Sequence, residues 1–306
     1  MLVPVVVGPT GSGKTAVATA LGALLPVEAV SADSRQVYRG LVLGTAAPAG
    51  DDRAAVPYHG IGFLDPRERY SAGRFARDAA GWIAGIAARG RTPLVVGGTG
   101  FYLRALFEGL FEEPDLGGSR RERLREWLSG LAPAEAVRWA CRLDPGFAGG
   151  GAQRAQRSLE VALLAGRALG GLQAAGAPRP RGLRPWYALL TLERAALRER
   201  IVARTREMLA AGWVDEVRGA VSAGVPLDAP GLSAVGYREI VAHLCGAPGG
   251  PALEAAIVAA TARYAKRQET WFRHQLRGPV ARLDARESAA ALARLVAAGY
   301  RAAAEE

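Results

Sequence analysis

The sequence predicts an α/β fold, a doubly wound parallel sheet carrying a helical insertion. Three observations carry that prediction. A short apolar run, Leu2 to Val7, leads through a glycine-rich loop into a helix-compatible segment, Ala16 to Leu25. Further strand-like segments at 27–30, 59–64 and 92–96 alternate with helical segments, the pattern of a parallel sheet with crossover helices. From Glu113-Pro114 the strand pattern stops, and helical periodicity alone continues to about residue 186.

The loop Gly8-Pro9-Thr10-Gly11-Ser12-Gly13-Lys14-Thr15 fits the G-x-x-x-x-G-K-[ST] pattern between a strand and a helix, the context that pattern requires. Glycine lets the backbone turn its N–H groups inward, and the following helix presents its positive end, so fixed dipoles hold an anion. Lys14 is expected at the outer phosphate and the Thr15 hydroxyl on a Mg²⁺ ion. The chain has only two lysines, Lys14 and Lys266, which argues against a chance match. The sheet is therefore expected to be P-loop NTPase-like. Kinases, ATPases and transferases share such loops, so this one names a ligand group and not a reaction.

The remaining elements follow in order. Val27 to Val30 reads as a strand ending in Ser31-Ala32-Asp33-Ser34-Arg35-Gln36-Val37-Tyr38. Asp33, at the C-terminal end of a parallel strand, shares the sheet edge of the phosphate loop. It can accept a proton or hold a metal through water; capping a turn is the plainer alternative. His59 to Leu64 suits a short strand, and Ser71 caps a helix running to about Arg89. The strand Thr92 to Val96 ends in Gly97-Gly98-Thr99-Gly100, a second glycine turn with a hydroxyl on the same edge, before a helix over 101–110. Helices are expected over 120–128, 133–142 and 153–172, punctuated by glycines at 149–151 and a Pro/Arg stretch at 177–185. Residues 1–113 and 186–306 form the expected core, and 114–185 the insertion. The core resumes with a strand at 186–190 and a helix over 193–211, where Arg200 and Arg204 lie one turn apart on one face. Gly236-Tyr237-Arg238 opens another helix. A long helix over 257–276 carries Lys266 to Arg273, whose basic groups, interleaved with Trp271 and Phe272, can hold phosphates and stack bases. Core packing is the commoner role for such aromatics. A strand at 280–283 and a helix over 287–304 complete the expectation.

Composition bounds the function. A chain of 306 residues, half of them hydrophobic, can bury one large core or two modest ones. Neither a leader nor a membrane-spanning run is apparent, and a cytoplasmic address is expected. Cys141 and Cys245 lack metal spacing, and His59, His243 and His274 are scattered, which argues against structural zinc and a disulfide framework. The net charge of +10 is concentrated in residues 114–185, with 12 basic and 6 acidic side chains against 11 and 10 in residues 1–113. That excess suggests a polyanion larger than a nucleotide; a solvated arginine-rich surface is the alternative.

Taken together, Gly8 to Thr15, Asp33 to Tyr38, Gly44-Thr45-Ala46, Tyr70-Ser71-Ala72, Gly97-Gly98-Thr99, Arg204 with Met208, Gly236-Tyr237-Arg238 and Lys266 to Arg273 resemble the bacterial tRNA dimethylallyltransferase family, in family order along the whole chain. The resemblance implies transfer of a dimethylallyl group from dimethylallyl diphosphate to N6 of adenosine 37 in the anticodon stem-loop of tRNA. It implies Mg²⁺ as cofactor; a monomer without a membrane partner is expected. It places the general base at Asp33, a reacting-centre role at Thr99, and diphosphate contact at Arg204 and the phosphate loop, Gly8, Pro9, Thr10, Gly11, Ser12, Gly13, Lys14 and Thr15. Contacts to tRNA are implied for Asp33, Ser34, Arg35, Gln36, Thr99, Arg121, Gln153, Arg154, Arg157, Gly236, Tyr237, Arg238, Lys266, Arg267, Gln268, Trp271 and Arg273. Two departures stand out. Ala47 replaces the family's usual lysine, and Gly149-Gly150-Gly151-Ala152 replaces its usual approach to the arginine segment at Gln153-Arg154. A relative acting on free adenine nucleotides needs no basic insertion, and a small-molecule kinase needs a nucleotide lid that no segment here supplies.

Overall fold

Strand β1 (Leu2–Val7) is buried along almost its whole length, with Val3, Val5, Val6 and Val7 fully excluded from solvent. A run apolar on both faces belongs at the centre of a parallel sheet covered by helices on each side, and there it lies. The sheet adds β2 (Val27–Ser31), β3 (Tyr58–His59), β4 (Thr92–Gly97), β5 (Arg184–Thr191) and β6 (Val280–Asp284), in the order β3-β2-β4-β1-β5-β6. Every neighbouring pair is parallel. The chain leaves β1 toward β2 and leaves β4 toward β5, so the order reverses between β1 and β4. Ligands of open α/β sheets bind outside the strand ends at such a point.

The computed structural model describes residues 1–110, 118–174 and 182–305, with backbone alone at 173 and 174. These fall into two compact units, Met1–Phe107 with Arg181–Glu306, and Glu108–Pro180. In the first unit the helices are α1 (Lys14–Gly22), α2 (Asp51–Ala55), α3 (Ala72–Ala88) and α4 (Gly100–Phe107). The second holds α5 (Gly118–Ser129), α6 (Pro133–Leu143), α7 (Ala152–Ala165) and α8 (Leu169–Ala174). The first unit then resumes with α9 (Arg194–Ala210), α10 (Trp213–Ser222), α11 (Tyr237–Leu244), α12 (Pro251–Gln275) and α13 (Ala289–Glu305). The expected break at Glu113-Pro114 and most of the Pro/Arg stretch lie outside the described residues.

Two expectations are corrected. The strand at 59–64 stops after His59, because Gly60 (φ 83°) and Gly62 (φ 63°) adopt left-handed backbone that no strand continues. The N–H groups of Gly62, Phe63 and Leu64 donate instead to the Gln36 and Val37 carbonyls. The single helix at 153–172 is two, since Gly166 (φ 63°) caps α7 in left-handed geometry before α8 begins.

Two of the buried clusters in the first unit bear on the site. One, built on Val6, Leu21, Leu94, Leu190 and Val296, lies against the sheet. The other joins Leu41, Leu64, Trp213, Leu232, Tyr237 and Ile257. The second unit has a small core of Leu128, Ala136, Ala140, Ala155 and Leu159. Beside it, buried Glu160 accepts from Arg121 Nε (2.5 Å), Arg125 Nε (2.7 Å) and Arg157 (2.7 Å). Burial opposes the charged form of Glu160, but the Arg125 hydrogen bond and the charges of Arg121 and Arg157 outweigh it and hold the carboxyl below its ordinary value.

Candidate active site

The C-terminal ends of β1, β2 and β4 open into a cleft of about 1070 Å³ lined by side chains from the first unit. The phosphate loop forms one wall. A Cβ on Gly8 would stand 2.7 Å from Ser12 Oγ and 2.8 Å from the Leu190 carbonyl, so only glycine fits where the loop leaves β1. Gly13 (φ 87°) turns the chain into α1, directing that helix's positive end at the cleft. Lys14 Nζ donates to the carbonyls of Gly8 (3.0 Å) and Pro9 (2.9 Å), folded back over its own loop. Desolvation by burial pushes its ammonium down to about 8, with Asp33 opposing the shift and Arg204 adding to it.

Asp33 follows β2. Its Oδ1 accepts the Arg35 N–H at 2.8 Å, closing a turn that leaves the carboxylate half-buried at the sheet edge. This turn is joined to the one after β4: the Ser34 N–H donates to Thr99 Oγ1 at 3.0 Å, and the Thr99 N–H to the Ala32 carbonyl at 3.1 Å. A Cβ on Gly97 would approach the Ala32 oxygen to 2.2 Å, so the two turns meet only because that residue is glycine.

Arg204 enters from α9 on the stripe Ile201, Arg204, Thr205 and Met208, all facing the cleft. It makes no hydrogen bond or ion pair among the described residues. Burial lowers the pKa of its guanidinium, with Asp33 and Glu207 acting the other way. Arg200, its sequence partner, instead donates to the Ala285 carbonyl at 2.8 Å. Helix α12 lines the cleft through Thr261, Tyr264, Gln268 and Trp271. Burial pushes the Tyr264 phenol up to about 12, and the nearby Asp33 adds to that. Lys14 and Arg204 thus share one cleft with the Asp33 carboxylate, the Thr99 hydroxyl and the Tyr264 phenol, an arrangement that can hold an anion and take a proton beside it.

The other expected contact residues divide by environment. Arg238, Lys266, Arg267 and Arg273 are exposed, with the Arg267 guanidinium 5.6 Å from the Tyr264 ring centroid. In the second unit Gln153 and Arg154 are exposed, while Arg121 and Arg157 are engaged with Glu160. Arg35 donates to the Pro230 carbonyl and Ser233 Oγ. Gln36 binds Ser31 Oγ and the Thr45 and Ala46 carbonyls, bracing the 44–47 loop. Tyr237 is fully buried and donates to Glu216 at 2.6 Å; Gly236 leaves room for the Trp213 ring. Gln268 spends both ends of its amide on backbone groups.

Sequence reasoning missed Glu216, Trp213 and Tyr264. Glu216 accepts the N–H groups of Val42 and Leu43, each at 2.7 Å, and so holds the cleft loop from below. Tyr264 could have been found from the spacing 261, 264, 268, 271, which puts one stripe of α12 on one face.

A Mg²⁺ ion commonly takes one or two protein oxygens and completes its shell with phosphate and water. The Thr15 hydroxyl, which lines the cleft at the start of α1, fits that donor set. Among the described residues no group of three His, Cys, Asp or Glu side chains is placed to hold a metal, and no helix is long and apolar enough to cross a membrane.

The family described as IPP transferase matches residues 36–275. A tRNA dimethylallyltransferase of Burkholderia mallei is 44% identical over 285 residues, spanning 87% of this chain and 85% of the relative. One from Thermus thermophilus is 43% identical over 277 residues, spanning 89% and 90%. The crystal structure of a tRNA delta(2)-isopentenylpyrophosphate transferase from Staphylococcus epidermidis aligns with a TM-score of 0.70 at 26% identity, covering 98% of this chain and 99% of its own.

Proposed function

The chain belongs to the IPP transferase family, and on that premise we propose how its cleft moves a dimethylallyl group from dimethylallyl diphosphate to tRNA. The acceptor is N6 of adenosine 37 in the anticodon stem-loop, and diphosphate is released. The allylic C–O bond breaks as the N6–C bond forms, and one N6 proton leaves. The observation that carries this reading is Arg204, a half-buried guanidinium that lines the same cleft as Lys14 and the phosphate loop, close enough to act on the Lys14 charge.

The barrier lies in gathering negative charge on the departing diphosphate. Loop N–H groups, Lys14 and Arg204 are fixed donors for that charge, and they act strongest where water is excluded. The Thr15 hydroxyl would hold Mg²⁺, which adds charge neutralisation when bound. N6 is a weak nucleophile because its lone pair is delocalised into the ring. Asp33 takes its proton, a role typically worth ~10²–10⁴-fold. Thr99, already hydrogen-bonded to the Asp33–Ser34 turn, orients the amine. The adenine must leave its stack, at a cost of a few kcal/mol. Phosphate contacts from exposed Arg238, Lys266, Arg267 and Arg273, and from Gln153 and Arg154 in the second unit, offset that cost. A tRNA substrate puts the reaction in the cytoplasm.

Incubation with labelled dimethylallyl diphosphate and either tRNA or AMP, followed by nuclease digestion, tests the reading. Label is expected in one adenosine of tRNA and depends on divalent metal. Label in AMP alone would reassign the acceptor, and phosphate transfer from ATP without prenyl transfer would reassign the reaction.

A further inference from the structure

Gln268 lies on α12 between Tyr264 and Trp271, and only 6% of it is exposed. Its carboxamide is spent inside the fold. Oε1 accepts the Thr10 N–H at 2.9 Å, and Nε2 donates to the Gly98 carbonyl at 2.8 Å. Those groups belong to the turns after β1 and β4, the two strands flanking the switch point. The fit leaves no slack: a Cβ on Gly98 would stand 2.3 Å from Nε2, and one on Gly100 would stand 2.3 Å from the Trp271 ring. The glycines therefore let α12 lie directly on the turn that carries Thr99.

A carboxamide suits this bridge because, uncharged, it accepts at one end and donates at the other. Holding the Thr10 N–H toward α12 withdraws it from the anion and leaves that role to N–H groups nearer α1. It also fixes the Gly8-Pro9 segment, whose carbonyls receive Lys14. At its other end the amide anchors Gly98, next to the hydroxyl that meets Ser34.

We propose that Gln268 is a positioning residue: it locks the phosphate loop and the Thr99 turn at the spacing prenyl transfer needs, and it does not contact tRNA. The proposal rests on the function proposed above. Side chains either side of it on α12, Lys266, Arg267 and Arg273, face solvent and remain available for RNA. Misplacement of a reacting group by about 1 Å can cost about 10²-fold in rate, so loss of this brace should appear in turnover.

Kinetics and calorimetry on the full chain decide it. Gln268→Ala is expected to lower kcat about 10–100-fold and to weaken binding of inorganic pyrophosphate about tenfold. The KM for tRNA should stay near its wild-type value. Gln268→Glu keeps the volume and the acceptor; as a carboxylate it lacks the donor, and protonated it regains it. Its kcat relative to wild type should therefore rise as pH falls from neutral toward the carboxyl range. The other ionisable side chains lining the cleft, among them Lys14, Asp33, Asp52, Glu207 and Tyr264, are present in both proteins, so the ratio reports the change at position 268. A raised KM for tRNA with wild-type kcat and pyrophosphate affinity would overturn the proposal and return Gln268 to RNA contact. A ratio flat in pH would overturn it too, and settles the matter should the alanine variant fail to fold. The pyrophosphate titration needs no RNA. A wild type that bound pyrophosphate but did not prenylate tRNA would refute the function while leaving the role of Gln268 to that titration.

Discussion

Raising the pH through the pKa of Lys14 should remove part of the affinity for diphosphate. In the free site burial lowers that ammonium from 10.5 to about 8; the Asp33 charge opposes the shift and that of Arg204 adds to it. A bound diphosphate favours the charged amine, so the pKa in the complex lies above that of the free site. The sign follows. Below about pH 8 Lys14 is charged with or without ligand, and affinity is flat in pH as far as this group is concerned. Between the free and bound values binding takes up a proton, and each pH unit costs about tenfold, or about 1.4 kcal/mol. Affinity at pH 9 should thus be about one tenth of that at pH 7. An unreactive alkyl diphosphate is a suitable probe, because its last phosphate ionisation, near 6, is complete in this range. Calorimetry in two buffers of different ionisation heat reads the proton uptake directly, near zero at pH 7 and approaching one at pH 9. Lys14→Arg should flatten the dependence, since a guanidinium does not titrate there. A wild type with constant affinity and no proton uptake across that range would refute the reasoning. Folding stability moves the other way. The native pKa lies below the unfolded one, so the contribution of Lys14 to stability rises with pH between about 8 and 10.5.

Other changes separate the remaining roles. Asp33→Ala should lower kcat about 10²-fold or more while the tRNA Kd changes little; lost tRNA affinity with normal turnover would make Asp33 a binding residue. Arg204→Ala should cost about 10²–10³-fold in kcat, with poor rescue by Arg204→Lys because a point charge lacks the planar fork. A fully active lysine variant would take Arg204 out of the diphosphate site. In the second unit, Arg154→Ala should shallow the slope of log Kd for tRNA against log salt by about 0.7–0.9 without changing Tm. Glu160→Gln should lower Tm, because it leaves three arginines around a buried neutral amide. Equal salt slopes in wild type and several such arginine variants would make this surface merely solvated.

The parts of the site legible in the sequence are those a strand end places by local pattern. The phosphate loop, Asp33 and Thr99 each follow a buried strand, and a parallel sheet brings such ends to one edge. A matched motif carries residue type but not side-chain direction. Tyr237 and Gln268 sit in the family's pattern, yet one points into the core and the other into the backbone of two turns. Glu216 could not be read at all, since the N–H groups it accepts lie about 170 residues earlier and no local pattern encodes that meeting. The loss of the 59–64 strand beyond His59 had a local cause: two glycines, each of which can turn or extend, and here turn.

The position of β1 has a consequence for synthesis. It is a central strand, yet its two neighbours arrive far apart in time: β4 pairs with it through Val5, Val6 and Val7, but β5 begins only at Arg184. A nascent chain ending anywhere before that point carries Leu2 to Val7, apolar on both faces, as an open edge with unpaired N–H and C=O groups. Such edges recruit other strands, and pairing across long separations is slow. Ribosome-bound fragments of this protein should therefore lean on chaperones until β5 emerges, and truncations ending in the second unit should aggregate more than the full chain.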